Sequence, residues 1–390
     1  MDFDKILDQR AVFNSKWMAV PDAINADGES GIAMSVADSD YKTAPVVQAA
    51  MASYVAHGCF PYGADWSGYA KAVADWQGRR HGWQVDPDWV VTVQGLGQGI
   101  AMCFDTWTQP GDGVAYFTPV YHEFHDKTVR AERRPVPIPL ALVDGRYELD
   151  FDAAEAAMDP GVKILLFCAP QNPSGRVWSA AEMRAVAEFA EAHDLILVSD
   201  EVHADLVYAG HKHVPMDLAA PAQRGRVLTM TAASKSFNLA GLRCGQAIIP
   251  DDDLRAAYKR RLRMLDYSPG TAGVVATKAA YTDEGEAWLQ AQLAHLEGNR
   301  AVFDAGIDAI PGLTSMPLES TFLAWVDFSG TGMTPEEIAR RIREDAKIAV
   351  SPGPGFGPGG ELCNRFNIAM PRARIEDAVA RMQRAFGDLQ

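Results

Sequence analysis

Between about residues 85 and 250, short apolar runs alternate with stretches whose apolar residues recur every three or four positions. The runs are Trp89-Val-Val-Thr-Val93, Gly113-Val-Ala-Tyr-Phe117, Val162-Lys-Ile-Leu-Leu-Phe-Cys168, Leu195-Ile-Leu-Val-Ser199 and Arg226-Val-Leu-Thr-Met230. They are nearly continuous rather than alternating, as expected of strands in a parallel sheet covered on both faces. Ser179 followed by Glu182 forms a capping box, with Ala, Val and Phe on one face of the helix it starts. A long helical pattern from Glu286 to Ile310 stops at Pro311-Gly312. Beyond it, Thr321-Phe-Leu-Ala-Trp-Val-Asp327, a helix from Pro335, Ile348-Ala-Val350, Arg365-Phe-Asn-Ile-Ala-Met370 and a final helix predict a smaller α+β unit. The expectation is an α/β fold. A large domain over 46–285 carries a mostly parallel, mixed sheet covered by helices. A small domain spans 286–390, and the first 45 residues pack onto it.

A chain of 390 residues can build a core of this size. Its net charge of −15 disfavours a nucleic-acid partner, and no basic run suggests an anionic membrane surface. No apolar run approaches the ~20 residues of a bilayer span. Met1-Asp-Phe-Asp-Lys5 lacks the positive flank and apolar core of a secretion signal. Cys59, Cys103, Cys168, Cys244 and Cys363 are scattered, and three of the five lie in apolar segments. That pattern predicts reduced, buried thiols and a cytoplasmic protein.

The candidate chemistry sits where strands end. Lys235 stands in Thr229-Met-Thr-Ala-Ala-Ser-Lys-Ser-Phe-Asn-Leu-Ala-Gly-Leu-Arg243, just after an apolar run. A reactive lysine must lose its proton, which burial and a neighbouring cation such as Arg243 favour. Asp200 ends the run Leu195–Ser199, where ligands collect in open α/β sheets. A buried acid there needs a cationic partner. Asn172 lies in the turn-forming Pro170-Gln-Asn-Pro-Ser-Gly175. In this order and spacing the three segments point to pyridoxal 5′-phosphate (PLP). Lys235 would carry the cofactor, Asp200 would face its ring nitrogen and Asn172 its phenolic oxygen. Gly95-Leu-Gly-Gln-Gly99, between a strand and a helix, matches a dinucleotide fingerprint poorly but suits one phosphate at a helix N-terminus. Ser234 and Arg243 could complete that cradle. Tyr121, after Thr118-Pro-Val, could stack on the ring, and Tyr62 in Phe60-Pro-Tyr-Gly63 could reach a neighbouring subunit's phosphate. Arg365, opening an apolar run, suits a substrate carboxylate. Asp38 and Asp40 have no further ligand at metal spacing and read as turn or domain-contact residues, so no metal is expected. No Ser-His-Asp hydrolase pattern is present.

These segments, with Ala37-Asp-Ser-Asp-Tyr41, His57-Gly-Cys-Phe-Pro-Tyr62, Thr118-Pro-Val-Tyr-His-Glu-Phe124 and Ser199-Asp-Glu-Val-His203, resemble the fold-type I PLP enzymes, the aspartate aminotransferase superfamily. Within it the chain is most similar to the cystathionine β-lyase-type C–S lyases, the group that includes the maltose-regulon modulator. The resemblance implies a PLP-dependent transferase-like large domain. It implies Lys235 as the Schiff-base lysine, Asp200 on the pyridinium, Asn172 on the phenolic oxygen and Tyr121 on the ring face. Ser234, Arg243 and the backbone of Leu96 and Gly97 would hold the phosphate, joined by Tyr62 from the partner of a homodimer. Arg365, with Asn172 and Tyr121, would receive the amino-acid substrate. His203 carries the subgroup resemblance, because many aminotransferases have Tyr there. Three residues depart from the pattern: Ala232 where Ser is frequent near the phosphate, Ser39 for Met and Pro61 for Gly near the substrate mouth.

The expected activity is α,β-elimination from an S-substituted cysteine, giving thiol, pyruvate and ammonia. An aminotransferase with a 2-oxo acid acceptor uses the same residues and stays open as the alternative. A regulatory protein that keeps the fold is a third reading, and no surface motif supports it.

Overall fold

The computed structural model describes residues 1–20, 31–63 and 67–389. Near the start, strand β1 (Ile32–Ala33) precedes two helices, α1 (Pro45–His57) and α2 (Ser67–His81). The large sheet then takes β2 (Val90–Val93), β3 (Gly113–Thr118), β4 (Arg134–Pro139), β5 (Val162–Cys168), β6 (Ile196–Asp200), β7 (Val227–Thr231) and β8 (Gly245–Ile248). Their spatial order is β2-β8-β7-β6-β5-β3-β4. β8 runs antiparallel to both neighbours, and every other pairing is parallel.

The apolar runs become these strands because both faces are covered. Every residue of β3 and β7 is buried, and helix α3 (Leu96–Trp107) lays Ile100, Met102, Cys103 and Phe104 against one face. Each such side chain, fully buried, stabilises by roughly 1.5–3 kcal/mol. Helix α4 (Glu123–Arg130) follows β3, and helix α5 (Ala180–Ala192) covers the other face with Met183, Val186 and Phe189. Ser179 and Glu182 form the expected reciprocal capping box. The run starting at Trp89 loses that residue to a 3₁₀ turn, Pro87–Trp89. β4 has Pro at positions 135, 137 and 139. Alternate spacing turns all three missing N–H groups the same way, which the sheet tolerates because β4 is its last strand.

Helix α6 (Asp283–Asp308) begins three residues before the expected start, because Thr282 caps it through Gly285 N–H at 3.2 Å. Asp283, Glu284 and Glu286 in its first turn suit the positive end of the helix dipole. A second sheet joins β9 (Thr314–Ser315), β10 (Leu323–Asp327), β12 (Ser351–Pro352) and β13 (Cys363–Asn367) in the order β9-β10-β13-β12. Between β10 and β12, β11 (Ile348–Ala349) pairs in parallel with β1. The last helix, α7 (Arg372–Ala385), packs on α6.

Asp38 and Asp40 meet the fully buried Lys16, whose Nζ lies 3.3 Å and 2.8 Å from their carboxylates. Trp17 Nε1 also donates to Asp40 at 3.0 Å. All five cysteines are free; Cys59 is exposed and four, rather than three, are buried.

The turn after β5 is fixed by Gly175. Its φ is +70°, and a methyl group there would lie 2.3 Å from Leu318 Cδ1 and 2.8 Å from the Ser320 carbonyl. Gly175→Ala should therefore lower unfolding stability by roughly 1–3 kcal/mol. Urea unfolding measures this, and an unchanged midpoint would mean that the turn yields freely.

Candidate active site

The parallel strands all end at one edge of the large sheet, and the candidate residues follow from that. Asp200 is the last residue of β6, and Asn172 lies four residues beyond the end of β5. Tyr121 is three residues past β3, and Ser234 and Lys235 come just after β7. Leu96 and Gly97 open α3 after β2. β8 runs the opposite way, so Arg243, two residues before its start, arrives at the same edge.

These ten residues, with His203 and Arg365 counted among them, line a single cavity of about 440 Å³. Tyr62 does not line it: in the single chain its side chain is exposed. Ser39 and Pro61 do not line it either. Ser39 is fully buried, its backbone held by Asn238 at 2.9 and 3.3 Å, which corrects its expected place at the mouth. Ala232 is buried beside Gly245 and outside the lining. A larger depression of about 710 Å³ runs along residues 68–87, but its charged groups Lys71, Asp75 and Arg79 are all exposed.

Lys235 Nζ donates to the Ala37 carbonyl at 2.5 Å. Burial lowers its pKa to about 8; Asp38 and Asp200 oppose this, and Arg365 and Arg243 add to it. Asp200 is 6% exposed, and burial raises its carboxyl to about 6. Its Oδ1 accepts the Val202 N–H at 3.2 Å, and no described basic side chain forms an ion pair with it. His203 is buried with Nδ1 unpartnered, and burial together with Lys235 and Arg365 holds its pKa well below the usual value. Tyr121 stands edge-on to His122, and burial lifts its phenol to about 12.

Arg365 is buried, and burial lowers its pKa to about 10. Nη1 donates to Asn172 Oδ1 at 2.9 Å, while Nη2 donates to the Ser35 carbonyl at 2.8 Å and Ser351 Oγ at 3.2 Å. Nε has no partner, and the guanidinium lies 4.9 Å from the Phe356 ring centroid. With its oxygen taken by Arg365, Asn172 has its amide N–H₂ left to donate.

Gly95 precedes α3 at φ +80° without a side-chain cap, leaving the first N–H groups of the helix for an anion. Arg243 has φ +49°, in the left-handed region that costs a non-glycine residue.

Sequence reasoning passed over several wall residues. The Ala37 carbonyl and Ser35 act through backbone oxygens, for which a sequence has no signal. Ser351, His122, Glu123 and Lys127 also line the cavity. His122, Glu123 and Asp126 place ligand atoms within 4.8 Å of one another, but Lys127 and Arg130 already hold Glu123, at 2.7 and 3.5 Å.

These donors and acceptors fit PLP. The unpaired buried Asp200 suits a protonated ring nitrogen, and the uncapped helix with Arg243 suits a phosphate. Lys235 supplies the amine. An α/β sheet covered by helices on both faces, with a buried lysine and a buried acid at its carboxyl edge, defines the class.

The sequence comparisons agree. Residues 32–382 match the family model for aminotransferase class I and II, and the chain belongs to that family. It is 32% identical to the cystathionine beta-lyase PatB of Bacillus subtilis over 388 residues, 99% of this chain and 100% of that protein. It is 30% identical to protein MalY of Escherichia coli over 385 residues, covering 97% of each. The crystal structure of cystalysin from Treponema denticola, which contains pyridoxal 5′-phosphate, superposes with a TM-score of 0.95 at 29% identity, covering 100% of this chain and 99% of that one.

The raised Asp200 pKa has a testable sign. Below about pH 4 the carboxyl is protonated in folded and unfolded chains alike. Between about 4 and 6 only the folded, cofactor-free protein keeps the proton, so stability falls as pH rises. Above 6 the buried charge costs on the order of 3 kcal/mol. Asp200→Asn should flatten this part of the profile and stabilise the cofactor-free protein at pH 7. Superimposable urea profiles for the two proteins between pH 4 and 7 would contradict it.

Proposed function

We propose that the protein is a PLP-dependent C–S β-lyase of the cystathionine β-lyase type. The observation that carries the reading is the convergence of Lys235, Asp200, Asn172 and Arg365 on one cavity. Bound there, PLP supplies an electron sink conjugated with the substrate Cα. Lys235 holds the cofactor and, once released, takes the Cα proton; an amine with a pKa near 8 is suited to that exchange. Asp200 keeps the ring nitrogen protonated. Asn172 donates its amide N–H to the phenolic oxygen, because Arg365 fixes the other end of the amide. Tyr121 covers the ring face. Ser234, Arg243 and the N–H groups of Leu96 and Gly97 hold the phosphate, and His203 lies by the ring oxygen.

Arg365 receives the substrate carboxylate, which gives its unpartnered Nε an acceptor. As the proton leaves Cα, the Cβ–S bond breaks with its electron pair on sulfur. The unsaturated amine that remains hydrolyses to pyruvate and ammonia. The name of the Bacillus subtilis relative, a cystathionine beta-lyase, favours elimination over amino transfer. The exposed aromatic side chains of Phe60 and Tyr62 support a homodimer in which Tyr62 reaches the partner's phosphate. No helix among the described residues is long and apolar enough to cross a membrane, which is compatible with a cytoplasmic setting.

The direct test gives the purified holoenzyme cystathionine without any oxo acid. Pyruvate, ammonia and thiol should accumulate together over many turnovers. A stall after one equivalent, with resumption on adding 2-oxoglutarate, would replace the lyase by an aminotransferase. Arg365→Ala should keep its PLP but lose substrate affinity, on the order of 2–5 kcal/mol for a buried charge pair. Normal KM in that variant would remove Arg365 from the substrate site.

A further inference from the structure

The phosphate end of the cavity has an unassigned cation. Lys127, on α4, lines the same cavity as Arg243 and the first turn of α3. A methyl group at Gly97 would lie 3.1 Å from Lys127 Cε and 3.2 Å from its Nζ. On the other side of the turn, a methyl group at Gly95 would lie 3.8 Å from Arg243 Cα and Cδ. The two cations thus bracket the uncapped helix start. Lys127 is only 23% exposed and is held at 2.7 Å by Glu123, which lines the cavity too. Burial works to raise the Glu123 pKa, but the hydrogen bond and charge of Lys127, with Arg130, hold it below the usual range.

A phosphate monoester carries about −1.5 to −2 charges at pH 7, and a helix N-terminus offers only about +0.5. Arg243 supplies one full charge. Ala232 has no hydroxyl to contribute. We propose that Lys127 is the second cation of the phosphate site, and that it also shields the phosphate from the Glu123 carboxylate that positions it. This assignment rests on PLP being the cofactor. It explains why Gly occupies position 97, since a side chain there would push the amine away.

The test compares PLP with pyridoxal, which lacks the phosphate, by measuring cofactor retention of full-length holoenzyme dialysed against each compound. Lys127→Met should raise the PLP dissociation constant about tenfold or more, on the scale of a lost charge-assisted hydrogen bond. Pyridoxal affinity should stay the same, so the preference for the phosphorylated form collapses by the same factor. Lys127→Arg should retain the preference. Glu123→Gln should retain PLP at least as well as the parent, and Glu123→Gln with Lys127→Met should recover much of the loss. If Lys127→Met and Glu123→Gln lower the melting temperature alike while the PLP-to-pyridoxal preference stays within twofold, the pair is only a helix ion pair and the assignment fails. If the parent protein shows no PLP binding, it is the cofactor reading itself that fails.

Discussion

A buried guanidinium holds the site together. Arg365 is almost without solvent contact, and an unpaired buried charge is too costly to persist without hydrogen bonds. It therefore draws acceptors from three distant stretches of chain: the Ser35 carbonyl, Asn172 and Ser351. Each of these is then no longer free to drift. The orientation of the Asn172 amide is a consequence, as is the placement of residues 35–37 over the cavity, where the Ala37 carbonyl meets Lys235. Under the proposed function, a substrate carboxylate in the cavity would supply the acceptor that Arg365 Nε lacks.

A second buried cation anchors the approach to it. Lys16 reaches both Asp38 and Asp40, and Asp38 in turn adds to the potential at Lys235. The short strand β1 is clamped between these contacts and β11. Segment 32–41 is thus held in place, and its Val36 and Ala37 form part of the cavity wall.

How much of this was legible depended on whether the signal lay in side chains. β3, β5, β6 and β7 emerged within a residue or two of the apolar runs, because both faces of each strand are buried. β4 was hidden by its prolines, whose alternate spacing was the available clue. β8 was hidden by Gln246, a buried amide satisfied by Tyr69 at 2.9 Å and Thr231 at 2.6 Å. The lysine, the acid and the amide were marked by their positions after strands. Backbone acceptors such as the Ala37 carbonyl left no mark, and Lys127 belongs to none of the sequence motifs. Ser39 was misplaced because nothing in its neighbours showed that Asn238, 199 residues away, would close over it.

The left-handed backbone at Arg243 has a consequence for the history and engineering of this chain. A non-glycine residue there carries roughly 1–3 kcal/mol of strain. Glycine would relieve it at the loss of the guanidinium. A selection that rewarded heat resistance alone would therefore push position 243 toward glycine. If Arg243 binds the cofactor phosphate as proposed, the arginine persists only under selection that also rewards cofactor retention, and this position separates the two pressures.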